Sequence, residues 1–251
     1  MNTFIQMDLY ATLNDIRVVL RDNIDEKILT SEKKFFKEDV KILGVNVSTV
    51  SKIAKLFFES IKDYSKQDIL ALCEELWKSG YSEEAYIACH FSYCLSPKYE
   101  PVDFIIFERW VYEYVTNWAT CDTLCNHSIG TFIEMYPNFI SELKKWAKST
   151  NRWVKRAAAV TLIIPARKGL FLDDIFEIAD ILLVDTDDLV QKGYGWMLKA
   201  TSEAHLEGVF NFVMTRKADM PRTALRYAIE KMPSEMKMEA MKKEKPRHKD
   251  L

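Results

Sequence analysis

The chain has 251 residues, of which 48% are hydrophobic and 29% charged, and this composition describes a globular protein with a sizeable core. Seven glycines and seven prolines are too few for a loop-rich all-β fold, which needs turn residues at short intervals. The net charge of −2 excludes a global basic excess, so any site for a polyanion requires local segregation of charge.

The cysteines and the N-terminus predict a cytoplasmic protein. We expect its location to be the cytosol or nucleoid of a bacterium or archaeon. The cysteines are odd in number and form no Cys-x-x-Cys pair, which favours reduced thiols: Cys73, Cys89, Cys94, Cys121 and Cys125. A zinc site at the last two would need two more suitably spaced ligands, so we expect no metal and no cofactor. The acidic N-terminus lacks a signal peptide, and no apolar run approaches a membrane span. We expect a monomer.

The first 64 residues predict helices separated by one loop. Apolar residues recur at helical spacing over 7–21, and a shorter helix is expected over 24–36. Residues 40–47 alternate like a strand but have no partner strand, so we expect a loop with a tight turn at Gly44. Ser48 then predicts the cap of a helix reaching about residue 63.

From residue 65 the sequence predicts consecutive helix pairs. Their starts lie near residues 65, 101, 138, 172 and 205, which are about 33–37 residues apart. A helical hairpin at this period is typical of HEAT or armadillo repeats. We therefore predict an all-α fold, an α-solenoid or superhelix of HEAT-like hairpins, forming a single domain over 1–236. Residues 237–251 lose apolar periodicity and predict a basic, frayed tail.

The stretch YVTNWATCDTLC (114–125) places Trp118 and Asp122 four residues apart, on one face of a helix. Such a pair also has an ordinary structural interpretation. A Trp at a helix start is often a core residue, and an Asp in a first turn stabilises the helix dipole.

A basic segment follows one repeat later, at residues 137–169. Its cations greatly outnumber its single acid, Glu142, and they include Lys148. Arg152, Lys155 and Arg156 share one helix face, whereas the same helix is apolar elsewhere. We therefore expect these cations to point outward together.

The next repeat contains the stretch VQKGYGWMLK (190–199), with Lys192 and Trp196. Gly193 and Gly195 inside a helix each cost about 1 kcal/mol relative to Ala, which predicts close packing or close approach of another backbone. Trp118, Asp122, Arg156 and Trp196 all fall on second helices of successive hairpins, so in a solenoid they are expected on one concave wall. Aromatic, cationic and carboxylate groups on such a wall favour a polyanion.

These residues resemble the AlkD-like DNA alkylation repair family of HEAT-like-repeat DNA glycosylases. The similar stretches are NWATCDTLCNHSIG (117–130), NRWVKRAAAV (151–160) and VQKGYGWMLK (190–199), with LGV (43–45) and ELW (75–77) as weaker support. They occur in the family's order over residues 40–232. Two differences stand out. The family's first aromatic and first acid are Asn117 and Ala119 here, and an arginine usual after the LGV turn is Val50.

The resemblance implies excision of positively charged N3- or N7-alkylpurines from double-stranded DNA. It implies that Asp122 is the catalytic carboxylate and that Trp118 and Trp196 flank the deoxyribose of the lesion. Arg156 is implied to bind phosphate. We group Arg152, Lys155, Lys192 and Lys148 with it as candidate DNA contacts.

Two other functions stay open at this point. A protein with the same basic surface can bind DNA structure without excising a base. A helical-repeat scaffold for other proteins is the second alternative, and it predicts no affinity for DNA at moderate salt.

Overall fold

The computed structural model describes residues 2–242, and within that range it contains helices, turns and loops without a strand. The predicted all-α class is confirmed. The chain divides into two compact units, 1–132 and 133–251. The single domain expected over 1–236 stays a prediction beside this division.

The first unit contains helices that follow the predicted order, and α8 includes the boundary between the units. The helices are α1 (Asn2–Asp22), α2 (Glu26–Phe35), α3 (Val47–Ile61), α4 (Lys66–Lys78), α5 (Ser82–Cys94), α6 (Phe104–Glu113), α7 (Trp118–Thr123) and α8 (Gly130–Met135). Short 3-10 turns occupy Ser96–Lys98 and Pro101–Asp103, and a π-helical turn, Leu124–Ile129, joins α7 to α8.

The second unit repeats the helix-pair pattern. Its helices are α9 (Ile140–Trp146), α10 (Arg152–Val160), α11 (Ile163–Arg167), α12 (Leu172–Leu182), α13 (Asp188–Thr201), α14 (Leu206–Arg216), α15 (Arg222–Ala228) and α16 (Ser234–Met241). A 3-10 turn, Pro137–Phe139, precedes α9. Helix α13 packs against α10, α11, α12 and α15, and it is the centre of this unit.

The predicted helix start at Ser65 is confirmed by its cap, because Ser65 Oγ accepts the Asp68 N–H at 3.1 Å. Asn151 and Asp187, which lie between the predicted helices of two later pairs, cap α10 and α13. One predicted cap is wrong. Asn46, rather than Ser48, caps α3, because its side-chain oxygen accepts the Ser48 N–H at 2.9 Å.

The predicted frayed tail from residue 237 is partly wrong. Residues 237–241 belong to α16, and Lys217 Nζ donates to the carbonyl of Glu239 at 3.2 Å, which holds the end of this helix. Good helix formers after Pro233 explain the helix despite its weak apolar periodicity. The remainder of the predicted tail, 243–251, lies outside the described residues.

Polar contacts one repeat apart connect successive hairpins within each unit. The carboxylate of Glu74 accepts from Trp110 Nε1 at 2.6 Å, from the Tyr114 hydroxyl at 2.7 Å and from Arg109 at 2.7 Å. In the second unit, Lys168 pairs with Glu134 at 2.7 Å. The period seen in the sequence is therefore also the spacing of side-chain contacts.

Two further findings concern the whole described chain. All five cysteines are free thiols, and no group of three or more His, Cys, Asp or Glu residues within 2–242 is arranged to hold a metal ion. None of the helices in that range combines the length and apolarity needed to cross a membrane.

Candidate functional site

A buried asparagine fixes the start of the helix that carries Trp118 and Asp122. Asn117 caps α7 by accepting the Thr120 N–H at 2.9 Å, and its amide nitrogen lies 3.4 Å from Ser82 Oγ. Trp118 is therefore the first residue of α7, and Asp122 lies one turn later on the same face. Asn117 occupies the position where the family has its first aromatic residue, and here it anchors α7 to α5.

Trp118 is half-buried and is packed by two aromatic residues that the sequence interpretation missed. The rings of Phe35 and Phe36 each lie 5.7 Å from the Trp118 ring, centroid to centroid. Phe35 remains 67% exposed although it is large and apolar. Two consecutive phenylalanines at the end of an otherwise charged helix were the sequence feature that could have indicated this contact. They hold the indole of Trp118 and extend an aromatic surface beside it.

The loop before α3 is held by a buried carboxylate at the start of α5. Glu83 accepts the backbone N–H groups of Leu43 at 3.0 Å, Gly44 at 2.8 Å and Val45 at 3.2 Å, which are the residues of the LGV turn. Gly44 adopts φ +92°, and a Cβ there would lie 2.6 Å from Leu29 Cβ. The LGV turn therefore ties the loop that follows Phe36 to α5.

Asp122 is 9% exposed, and the phenol of Tyr86 lies close enough to respond to its charge. Burial is the main cause of the raised pKa of the Tyr86 phenol, and the nearby Cys89 thiol and the carboxylates of Glu32 and Asp122 raise it further. Burial and the adjacent Glu83 raise the pKa of Glu32. No sequence pattern indicates Tyr86, because its approach to Asp122 depends on how α5 packs against α7.

In the second unit, Arg156 is buried rather than outward-facing, so the expected direction of this side chain is wrong. It is 5% exposed, and its guanidinium donates to the carbonyl oxygen of Leu189. A Cβ on Gly193 would lie 3.3 Å from Arg156 Cγ, so this glycine makes room for the arginine against α13. The prediction that Gly193 and Gly195 serve close packing is confirmed.

Arg152 and Lys155 are paired with aspartates that lie one repeat later in the sequence, whereas Lys192 is paired with an aspartate one turn earlier on its own helix. Arg152 binds Asp187, with Nε–Oδ2 at 2.9 Å, and Lys155 pairs with Asp185. Lys192 binds Asp188 at 2.6 Å, which raises the pKa of this lysine. The expectation of a basic face opposed by a single acid is therefore wrong, because its acids are distant in sequence.

The remaining predicted residues are accessible. Lys148 is exposed, and Trp196 is half-buried on α13. Within the first unit the structure brings Trp118 and Asp122 together, and within the second it brings Arg152, Lys155, Arg156 and Lys192 to α10 and α13. Convergence of both sets on one wall stays a prediction.

Comparison with known proteins agrees with this fold. A solved structure described as a predicted DNA alkylation repair enzyme from Enterococcus faecalis is similar with a TM-score of 0.75 and 13% sequence identity. The match covers 84% of this chain and 98% of that one. No curated protein matches the sequence. The family model described as DNA alkylation repair enzyme matches residues 16–232, and the chain accordingly belongs to the DNA alkylation repair enzyme family.

Proposed function

We propose that the protein is a DNA glycosylase that excises positively charged alkylpurines, of the N3- and N7-alkyl type, from double-stranded DNA. Membership of the repair family supports alkylated DNA as the substrate. The hydrolytic reaction and the lesion class are the finer part of the proposal. We also propose that the protein acts as a monomer in the cytoplasm.

The reaction is hydrolysis of the N-glycosidic bond. Alkylation at N3 or N7 makes the base cationic, which weakens the bond between C1′ and N9. When this bond breaks, its electron pair goes to N9 and the base leaves uncharged. Water then adds to the oxocarbenium-like C1′ and loses one proton, leaving a hydroxyl group on the sugar.

Asp122 is assigned the charge-stabilising and water-positioning role in this reaction. A carboxylate near C1′ stabilises the developing positive charge, and it can accept the proton of the attacking water. Trp118 and Trp196 would offer their π faces to the cationic sugar, an interaction of about 0.5–2 kcal/mol each. Asp122 is the better candidate for the dominant contribution, because charge–charge interactions are strengthened in a site shielded from water.

The observation that carries the proposal is the geometry of α7. A buried carboxylate lies one turn from a half-exposed tryptophan, on a helix whose start is fixed by the Asn117 cap. Caps of this kind also begin other helices of the protein, so what distinguishes α7 is a buried carboxylate beside an accessible aromatic ring, both held in the fixed position that a catalytic group needs.

The proposed DNA contacts belong to the second unit: Arg156, Lys155, Arg152, Lys192 and Lys148. Contacts of this kind go to phosphates and carry little base information, so binding is expected to be largely sequence-blind.

The test is single-turnover release of 7-methylguanine from a duplex oligonucleotide. We expect release by the wild type, slowed at least a hundredfold by Asp122→Asn, which corresponds to about 2.7–4 kcal/mol for losing one preorganised charge-stabilising group. Asp63→Asn, an exposed Asp in the same unit, is the matched control and should keep the wild-type rate.

Two outcomes contradict the proposal. Near-wild-type release by folded Asp122→Asn protein removes Asp122 from the mechanism. Tight DNA binding by the wild type without any base release identifies a non-catalytic DNA-structure-binding protein instead.

A further inference from the structure

A pair of arginines lies on the exposed side of α15, the helix that packs against α13. Arg222 and Arg226 are four residues apart, so they share one face of the helix, and both are exposed. The other side of α15 is buried through Ala224, Leu225 and Ala228. The packing of α15 therefore leaves both guanidinium groups in solvent on the same face.

These two cations differ from their neighbours, because neither forms an ion pair with a residue that the structure describes. Most lysines and arginines described in the second unit are bound to a carboxylate, as in the pairs Lys144–Asp174, Arg152–Asp187 and Arg216–Asp180. The nearest acids in the sequence are Asp219 and Glu230, and Glu230 is bound to Lys199 at 3.0 Å. The charge of the two α15 arginines is consequently available to a partner outside the chain.

Helix α15 lies directly beside the face of α13 that carries the proposed DNA contact Lys192. Thr223 Oγ1 lies 3.5 Å from Oδ1 of Asp188, which is the aspartate that binds Lys192. One turn later on α15, the ring of Tyr227 has its centre 5.6 Å from Lys199 Nζ. Thr223 and Tyr227 each directly follow one of the two arginines in the sequence. The arginines therefore lie next to the proposed contact, one helix further along the repeat array.

We propose that Arg222 and Arg226 bind two further phosphates of double-stranded DNA, one helix beyond the contacts assigned to α10 and α13. The inference rests on the proposed function, according to which duplex DNA lies against α13. Arginine suits this role, because its planar guanidinium can donate to two phosphate oxygens at once. An arginine without a carboxylate partner also breaks no ion pair on binding, so each contact gains counterion release without an exchange.

The spacing of the helices determines how far these contacts extend along the DNA. Packed helices lie about 8–10 Å apart, axis to axis, and a duplex rises about 3.4 Å per base pair. We therefore expect α15 to reach phosphates about three base pairs further from the lesion than those that α13 binds. Because phosphate contacts carry little base information, the two arginines should add affinity without adding sequence preference.

The first test measures how binding to an undamaged duplex depends on salt. The double variant Arg222→Ala/Arg226→Ala should reduce the slope of log affinity against log salt by about 1.8, which is about 0.9 for each lost phosphate contact. Its affinity should be lower than that of the wild type by at least about tenfold at about 50 mM salt, and this deficit should shrink about twelvefold at about 200 mM salt. Arg222→Lys/Arg226→Lys, which keeps both charges, should retain the wild-type slope.

Arg216→Ala is the matched control. It removes the same charge from α14, where Arg216 is paired with Asp180 on α12, and neither helix carries a proposed DNA contact. We expect the wild-type slope for this variant. Circular dichroism and thermal melting establish that every variant is folded.

A second test locates the contacts along the DNA. Duplexes containing one 7-methylguanine are shortened stepwise, first on one side of the lesion and then on the other. The protein concentration that half-saturates single-turnover base release is measured at low salt for each duplex. One shortening step, on one side only, should raise this concentration at least about tenfold for the wild type, as the phosphates of the α15 arginines are lost. The double alanine variant should be insensitive to that step.

The outcomes separate this inference from the proposed function. An unchanged salt slope in the double alanine variant, an equal loss of slope in Arg216→Ala, or equal sensitivity of wild type and variant to every shortening step overturns the α15 contacts. Each of these results leaves the glycosylase function standing when the wild type releases the alkylated base. Binding to duplex DNA with the expected loss of slope, in a protein that releases no base, refutes the glycosylase function and supports the α15 contacts.

Discussion

Replacing Gly195 by Ala tests whether α13 and α15 are packed backbone to backbone. An added Cβ would lie 2.7 Å from Tyr227 Cβ and 2.8 Å from the carbonyl oxygen of Ala224. Favourable contacts between carbon atoms occur at about 3.5–4.0 Å, so the two helices would have to move apart by several tenths of an ångström or more. Neither neighbouring atom can escape by a change of rotamer, because one is backbone and the other is a Cβ.

The expected net cost of Gly195→Ala is about 2 kcal/mol. Overpacking a core costs about 1–3 kcal/mol, and a clash shared by two backbones belongs at the upper end of that range. Against it stands a gain of about 0.8–1.0 kcal/mol from placing Ala rather than Gly inside a helix. Because Gly195 precedes Trp196, displacement of α13 should also slow base release.

Gly208→Ala is the matched control for this prediction. Its added Cβ would meet Phe176 Cζ at 3.8 Å and His205 Cβ at 3.9 Å, which are ordinary contacts. This change should therefore stabilise the protein by about 0.5–1 kcal/mol. Urea unfolding of the two variants and the wild type measures both effects. Equal stabilisation by both substitutions would refute the packing argument for α13 and α15.

Three further predictions concern charged groups. Partial burial raises the pKa of Glu74, but hydrogen bonds from its three partners outweigh burial and lower this pKa below its ordinary 4.5. The contribution of Glu74 to stability is therefore present above pH 4.5 and is lost as pH falls through the folded pKa. Urea unfolding should show Glu74→Gln less stable than the wild type at pH 7, with the difference shrinking below pH 4.5, and a constant difference would contradict this. Lys66 binds the buried Asp103 at 2.9 Å, so Lys66→Met should cost about 3–5 kcal/mol in the same assay, and a loss below about 1 kcal/mol would show that Asp103 tolerates isolation. Arg156→Ala and Lys148→Ala should each weaken DNA binding and reduce the slope of log affinity against log salt by about 0.9, and an unchanged slope for Arg156→Ala would restrict this arginine to packing against α13.

The helix order was predictable because its signals are local. Capping residues such as Ser65, Asn151 and Asp187 act within three residues of their own position, so each marks a helix start directly in the sequence. Gly44 was predictable in the same way, because the positive φ of a tight turn favours glycine at that position. The proposed catalytic pair was predictable for the same reason, because Trp118 and Asp122 lie one turn apart.

Contacts across one repeat were not predictable in detail. Arg152 pairs with Asp187 because of the way α10 is aligned with the start of α13. Neither sequence stretch by itself indicates this alignment. The ring of Phe36 lies 5.7 Å from the ring of Trp118, although the two residues are far apart in the sequence. Residues that contribute to a site through such packing give no pattern in their own part of the chain.

The ion pairs of the second unit bear directly on how its cations could serve DNA. Arg152 and Lys192 keep part of their side chains in solvent, and pairs of this kind are worth only about 0–1 kcal/mol each. Exchanging an aspartate for a phosphate therefore costs little, and DNA gains counterion release from each new contact. The aspartates also hold the cationic side chains in defined positions before binding, which reduces the side-chain entropy lost when phosphates replace them. Arg156 differs, because its guanidinium is buried and donates to the carbonyl oxygen of Leu189, so its charge must act from a fixed place.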